Sequence, residues 1–191
     1  KNDKKLVIVL GLGIDIGRQL NENIVSKIVY FARQNFLNPI ILEEPGFENN
    51  IKDLAKKNNI ESKSCKNFFE LFLFLKSSKF VIGYDCGPTH IASLLTNSII
   101  LFSHTPIPHW GKHIWNIETY KEKLKYNNHE VTLIKQLNNG SNKNNWIICG
   151  NEKGCSLHKS SCKNNNCSEL NELLLLNAIK SILNVKNNNY M

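Results

Sequence analysis

The residues best suited to chemistry lie together just after a strand-like stretch at 79–83, and they are Asp85, Cys86, Gly87, Thr89 and His90. Pro88, within the same segment, is typical of the first turn of a helix, where its missing N–H costs no hydrogen bond. A helix that begins here presents free backbone N–H groups and the positive end of its dipole. Gly87 lets a ligand approach the backbone closely. The segment predicts an anion site, and a diphosphate is the ligand that it suits.

A simpler interpretation of these residues stays open at this point. Asp85 could be only a helix cap, and His90 could be a core residue whose hydrogen bonds are satisfied. The neighbouring segment 99–110 favours the chemical interpretation, since it is a second strand-to-loop transition with many polar groups.

Strand-like and helix-like stretches alternate through the first hundred residues. Apolar, β-branched runs predict strands at 6–10, 39–42, 79–83 and 98–102, and 60–65 could form a short further strand. Apolar residues at helical spacing predict helices at 23–35, 47–58, 67–77 and 89–96. This alternation indicates an α/β domain with a parallel sheet and right-handed crossovers.

Functional groups in such a sheet lie beyond the carboxyl ends of its strands. Three segments of this chain take that position, namely 11–18, 43–47 and 84–90. We therefore expect three segments to meet at the carboxyl edge of the sheet: the loop after the first strand, the pair Glu43 and Glu44 after the second strand, and the segment of Asp85.

The pattern weakens beyond residue 102. We expect a loop at 103–116, which is rich in Pro, His and Trp, a short helix at 117–125 and an exposed loop at 138–145. A cysteine-bearing loop at 149–167 and an amphipathic helix at 169–183 should follow. These predictions define one domain over 1–183, with a variable insert at 117–148, and a frayed tail at 184–191.

Composition and charge exclude some classes of protein. The 191 residues are 41% hydrophobic and 21% charged, and no apolar run is long enough for a polytopic membrane protein. The start of the sequence does not resemble a signal peptide. The net charge of +8 could indicate a polyanion partner, but the lysines are scattered and only Arg18 and Arg33 are arginines. Nucleic acid is therefore not the expected partner.

Four of the six cysteines lie close together, at Cys149, Cys155, Cys162 and Cys167, with His158 among them. They could hold a structural zinc, but the spacing is loose and contains no Cys-x-x-Cys pair. We expect free thiols rather than a metal site, and a reduced compartment disfavours a disulfide.

The segments 85–92 and 101–108 together resemble glycosyltransferase family 9, the family of the lipopolysaccharide heptosyltransferases. The family hallmark is Asp-Ser/Thr-Gly-Pro-x-His-x-Ala at a strand-to-helix turn, and this chain has Asp-Cys-Gly-Pro-Thr-His-Ile-Ala. A strand ending in Leu-Phe-Gly-Pro-Thr-x-Pro follows in the family, where this chain has Leu-Phe-Ser-His-Thr-Pro-Ile-Pro. The cysteine-bearing loop and final helix are a further point of likeness.

The resemblance implies a Rossmann-like domain that forms the C-terminal, donor-binding half of a GT-B glycosyltransferase. It implies inverting, metal-independent transfer from a nucleoside-diphosphate sugar to a lipopolysaccharide core or related glycolipid, without a cofactor. It implies a cytoplasmic location, including the inner face of the cytoplasmic membrane. The family's catalytic base lies on the N-terminal, acceptor-binding domain, so we expect no catalytic residue in this chain.

The donor-binding residues that the resemblance implies are Asp85, Cys86, Gly87, Thr89, His90, Arg18 and Glu44. Arg18 takes the place of a family lysine that contacts the donor phosphate, although the family's Trp-Pro is not found after it. Glu44 takes the place of an acid that hydrogen-bonds the nucleoside, and Cys86 stands where the family has Ser or Thr.

Two other functions remain as hypotheses. The first is a degenerate nucleotide-binding domain without transferase activity, which the departures from the family motifs would explain. The second is a nucleic-acid-binding module, which predicts strongly salt-dependent binding to any DNA.

Overall fold

The apolar runs of the first hundred residues form a sheet, and polar caps delimit most of the helices between them. The computed structural model describes residues 4–13 and 20–102, and the backbone of three later strands. The strands are β1 (Lys5–Val9), β2 (Asn38–Leu42), β3 (Glu61–Lys63), β4 (Phe80–Tyr84), β5 (Asn97–Phe102), β6 (Thr119–Tyr126), β7 (His129–Leu137) and β8 (Asn144–Cys149). The helices are α1 (Glu22–Gln34), α2 (Glu48–Lys57), α3 (Phe68–Lys76) and α4 (Gly87–Leu95).

These strands form one sheet in the order β3-β2-β1-β4-β5-β8-β7-β6. β3, β2, β1, β4, β5 and β8 are parallel, and β7 and β6 continue the sheet in antiparallel pairing. The central strands are covered on both sides, as is typical of parallel sheets, and Leu6 to Val9 of β1 are fully buried. The predicted Rossmann-like α/β fold with flanking helices is confirmed.

The helices cover the two faces of the sheet. α1 and α2 pack on one face through a core that includes Ile24, Ile28 and Ile51. α3 and α4 pack on the other face, where Leu75 and Ala92 meet β1 and β4. Two of these helices begin at asparagine caps, since the side chain of Asn21 accepts from the N–H of Ile24 and that of Asn67 from the N–H of Glu70, both at 2.9 Å.

The prediction of a short helix at 117–125 is wrong, because this segment contains strand β6. Its residues pair in antiparallel register with β7, from Thr119 opposite Gln136 to Tyr126 opposite His129. Lys121, Lys123 and Lys125 alternate with Tyr120, Leu124 and Tyr126, a period of two that is typical of a strand and that the prediction of a helix overlooked.

β7 and β8 were not predicted either, and the loop expected at 138–145 ends inside β8, which begins at Asn144. The rest of that loop, the loop at 103–116, the cysteine-bearing loop after Cys149, the helix at 169–183 and the tail lie outside the described residues. The proposed domain limits therefore stay a prediction. None of the helices that the structure describes combines the length and the apolar character needed to cross a membrane.

Candidate functional site

The order of the strands creates a crevice at the carboxyl edge of the sheet. The chain leaves β1 toward β2 through α1 on one face, and it leaves β4 toward β5 through α4 on the other face. β1 and β4 are neighbours, so the loops that follow them diverge. Ligands of open α/β sheets bind at such a reversal of strand order. The segment that begins with Asp85 follows β4, and the glycine-containing segment of Gly11 and Gly13 follows β1.

Gly83, the fourth residue of β4, allows the close packing beneath this crevice. It pairs with Val9, and a Cβ at Gly83 would lie 2.7 Å from the Cβ of Val9 and 2.5 Å from Cγ2 of Thr89. Real Cβ atoms essentially never come so close to other atoms. Sequence reasoning did not assign a function to Gly83, although a glycine inside an apolar strand is a known signal of close approach.

The buried side chain of Thr89 stabilises the turn between β4 and α4. Its side chain is fully buried, and its hydroxyl lies 2.6 Å from the carbonyl oxygen of Tyr84 and 2.8 Å from that of Cys86. The same hydroxyl accepts a hydrogen bond from the N–H of Cys86 at 3.2 Å. These contacts turn the Thr89 side chain away from the crevice, so its contribution to the site is the shape of the turn.

Asp85 and His90 form a pair across the first turn of α4. Nε2 of His90 lies 2.7 Å from Oδ1 of Asp85, and the Asp85 side chain is almost completely buried. The backbone N–H of Asp85 donates to the carbonyl oxygen of Leu101 at 2.9 Å, which ties the pair to β5. The N-cap of α4 is Cys86, so the alternative that Asp85 is only a helix cap is wrong.

Cys86 takes the N-cap position with extended backbone angles, φ −152° and ψ 165°. Its side chain packs against the apolar cluster beneath α4, which includes Val9 and Ala92. Burial raises the pKa of the Cys86 thiol above its usual value, and this effect outweighs the hydrogen bonds with Thr89, which lower the pKa, while the charges of Glu44 and Asp85 raise it further. The thiol therefore stays protonated at neutral pH, and a thiolate nucleophile or metal ligand is not expected at this position.

Glu44 joins the ends of β1 and β2. Its Oε1 accepts a hydrogen bond from the N–H of Gly11 at 2.7 Å, and its Oε2 accepts from the N–H of Gly13 at 3.4 Å. Gly11 has a φ of 76°, which a residue with a side chain rarely adopts. The structure thus brings Glu44 to the loop of β1, at the same edge as Asp85.

Arg18 belongs to residues 14–19, which lie outside the described part of the chain, as does the second motif from residue 103 onward. Within the described residues, no three His, Cys, Asp or Glu side chains are grouped so that they could hold a metal ion. Of the cluster of four cysteines, only the backbone of Cys149 is described, at the end of β8.

Gly87 is the first residue of α4, and a Cβ added there would meet no atom within 4 Å. Its φ lies outside the left-handed region, so alanine fits the backbone without strain. We expect Gly87→Ala to leave the free energy of unfolding unchanged or to raise it by up to about 1 kcal/mol. The same methyl group points into the space where an anion would approach α4, so the affinity for a nucleoside diphosphate, with ADP as the probe, should fall about tenfold or more.

Calorimetry with ADP, beside chemical denaturation, measures both effects. Adenosine is the control ligand, because it has no phosphate and its affinity should change little. If Gly87→Ala binds ADP as the wild type does, the anion does not approach α4 at this residue.

Comparison with known proteins gives a match in structure. No protein-family profile and no curated protein sequence matches the chain. Among solved structures, E. coli heptosyltransferase WaaC with ADP superposes with a TM-score of 0.59 at 12% identity, over 95% of this chain and 45% of that chain. The chain shares its fold with a heptosyltransferase. The resemblance predicted from the motifs is confirmed at the level of fold, and the chain spans less than half of the length of WaaC.

Two further structures overlap with smaller parts of the chain. WaaC with ADP-2-deoxy-2-fluoro heptose matches 57% of this chain and 35% of its own, at 18% identity and a TM-score of 0.49. A family 9 glycosyl transferase from Veillonella parvula matches 52% of this chain and 29% of its own, at 12% identity and a TM-score of 0.46.

Proposed function

We propose that the chain is the donor-binding half of a GT-B glycosyltransferase that uses a nucleoside-diphosphate sugar. The observation that carries the proposal is the pair of buried Asp85 and partly exposed His90 beside the open start of α4, at the crevice between β1 and β4. The fold match to a heptosyltransferase with bound ADP supports the same class of ligand.

Each part of the site has a task in this proposal. The backbone N–H groups at the start of α4 and the helix dipole bind the diphosphate, and Gly87 leaves room for it. Asp85 orients the ring of His90 toward the donor through the 2.7 Å contact. Glu44 holds the loop after β1 through the N–H groups of Gly11 and Gly13. When the sugar leaves, the charge that develops on the nucleoside diphosphate is stabilised by these groups.

The acceptor in this proposal is a lipopolysaccharide core or a related glycolipid or glycan. Its hydroxyl attacks the anomeric carbon with inversion and without a metal ion. A base on an acceptor-binding domain removes the proton of that hydroxyl. We place the reaction in the cytoplasm.

The direct test is calorimetry of residues 1–191 with ADP and with an ADP-sugar, beside a turnover assay with a lipid-core acceptor. We expect weak binding of the nucleotides and no sustained transfer. Transfer requires a base near the acceptor hydroxyl and a closed cleft that excludes water, and we assign both to the other domain. Sustained turnover by this chain alone would contradict the assignment as a donor-binding half. If no nucleoside diphosphate binds, the proposed site is wrong.

A degenerate nucleotide-binding domain is the second candidate, and one observation favours it. The Cys86 thiol packs against the apolar cluster beneath α4, at the position where the resembling family has a hydroxyl group. A transfer assay of the natural full-length protein distinguishes the two candidates, since a degenerate domain would bind ADP and transfer no sugar.

Arg18→Ala is expected to weaken binding of ADP about tenfold and to leave adenosine binding nearly unchanged. A guanidinium group pairs with phosphate oxygens and gains little from a ribose or a base. Lys4→Ala is the control, since Lys4 lies directly before β1 and so at the opposite end of that strand. Equal losses for ADP and adenosine would mean that Arg18 acts through the conformation of the first loop.

A further inference from the structure

A second surface with unusual composition lies on α3, away from the start of α4. Phe68 and Phe69 are 66% and 68% exposed, Leu73 is 48% exposed, and Phe72 is half-buried. Residues spaced by three or four share one side of a helix, so these four side chains form a continuous patch. We call this patch the α3 aromatic face and define it as Phe68, Phe69, Phe72 and Leu73.

The other side of α3 is already used for packing. Leu75 is fully buried in the cluster with Val7, Val9 and Val81, and Leu71 and Phe74 pack against the same cluster. α3 therefore carries apolar side chains on both sides, a pattern that in globular proteins is typical of helices that are covered on every side. Three large apolar side chains in contact with water on one short helix indicate a binding surface.

The charges around the α3 aromatic face are mostly positive. The segment 63–79 contains four lysines and one glutamate, Glu70. The carboxylate of Glu70 is held by Nζ of Lys63 at 2.8 Å and by the N–H of Lys66 at 2.9 Å. Lys66 and Lys76 are exposed, and Nζ of Lys76 lies 6.0 Å from the centre of the Phe72 ring.

We propose that the α3 aromatic face is a peripheral membrane-binding surface for an anionic phospholipid bilayer. Phenylalanine and leucine side chains that enter the interfacial region, with lysines beside them at the lipid phosphates, are the combination that binds such a surface. A second copy of the chain fits less well, because a symmetric pair of these faces would bring lysines together with lysines. The inference depends on α3 alone and not on transferase activity.

The position of α3 gives this surface a further consequence. β3 ends at Lys63, and Phe68 and Phe69 lie in the first turn of α3, so they lie near the carboxyl edge of the sheet. Asp85 and the start of α4 lie at the same edge. A bilayer bound by the first turn of α3 would therefore lie close to the crevice.

Co-sedimentation of residues 1–191 with vesicles tests the proposal. We expect binding to vesicles of phosphatidylglycerol and phosphatidylcholine in equal amounts, and at least tenfold weaker binding to phosphatidylcholine alone. The double substitution Phe68→Ser/Phe69→Ser should weaken binding to the anionic vesicles by about tenfold or more, because two apolar side chains no longer enter the interface. Lys76→Glu should also weaken it about tenfold through charge.

Tyr30→Ser is the matched control, because Tyr30 is 68% exposed on α1, which covers the opposite face of the sheet. It should bind vesicles as the wild type does. The proposal is overturned if the wild type binds neither vesicle, or if the double variant binds as strongly as the wild type. It is also overturned if the double substitution abolishes only self-association in sedimentation velocity, which would make the face a protein interface. If the double variant does not fold, the binding of Lys76→Glu decides between these outcomes.

Discussion

Gly83→Ala is expected to lower the free energy of unfolding by about 3 kcal/mol. The added methyl group would lie 2.5 Å from Cγ2 of Thr89 and 2.8 Å from the carbonyl oxygen of Val9, and the second of these is backbone inside the sheet. Neither β1 nor the turn into α4 can move without loss of hydrogen bonds, and overpacking of a core typically costs about 1–3 kcal/mol. Chemical denaturation monitored by circular dichroism measures the change.

Gly13→Ala is the matched control for this substitution. A Cβ at Gly13 meets no atom within 4 Å, and Gly13 does not have a positive φ. Its unfolding free energy should stay within about 1 kcal/mol of the wild type. If Gly83→Ala is as stable as Gly13→Ala, then a Cβ at Gly83 has more room than the 2.7 Å to the Cβ of Val9 indicates.

Asp85→Ala is expected to weaken binding of a nucleotide-sugar by about tenfold to a hundredfold, while the domain stays folded. The almost completely buried carboxylate of Asp85 lies 2.7 Å from Nε2 of His90, so its loss removes a contact that orients the imidazole. A hydrogen bond to a charged group contributes about 1.5–3 kcal/mol, which corresponds to this range of affinity. Calorimetry with an ADP-sugar measures the change.

His90→Ala and the double variant complete a thermodynamic cycle. If Asp85 acts through His90, the two losses will not add, and the double variant will bind about as weakly as the worse single variant. Asp53→Ala, at an exposed position on α2, is the control for the loss of an acidic residue. Additive losses, or a wild-type affinity for Asp85→Ala, would refute a positioning role of Asp85.

The strength of the local pattern decided how well each element could be predicted. The runs Leu-Val-Ile-Val and Phe-Val-Ile-Gly predicted β1 and β4, because uninterrupted β-branched residues are favoured only in buried strands. The predicted helix at 89–96 begins two residues after the observed start of α4 at Gly87, and Pro88 lies in its first turn, where proline fits, rather than in the later turns that it would disrupt. The segment of β6 was predicted as a helix although its lysines alternate with tyrosine and leucine, because Glu122 interrupts the apolar side of this alternation and pairing with β7 completes the strand.

The α/β class, and the edge of the sheet at which Asp85, Gly87 and Glu44 meet, could be predicted from the amino-acid sequence. These follow from local periodicity and from the rule that parallel strands end at one edge. The contacts that each residue makes at this edge depend on the folded arrangement of the chain. This arrangement paired Asp85 with His90, turned Thr89 into the core against Gly83, and joined Glu44 to the N–H groups of Gly11 and Gly13. Such contacts join segments that are far apart in the chain, and the local sequence of one segment does not show which other segment will pack against it.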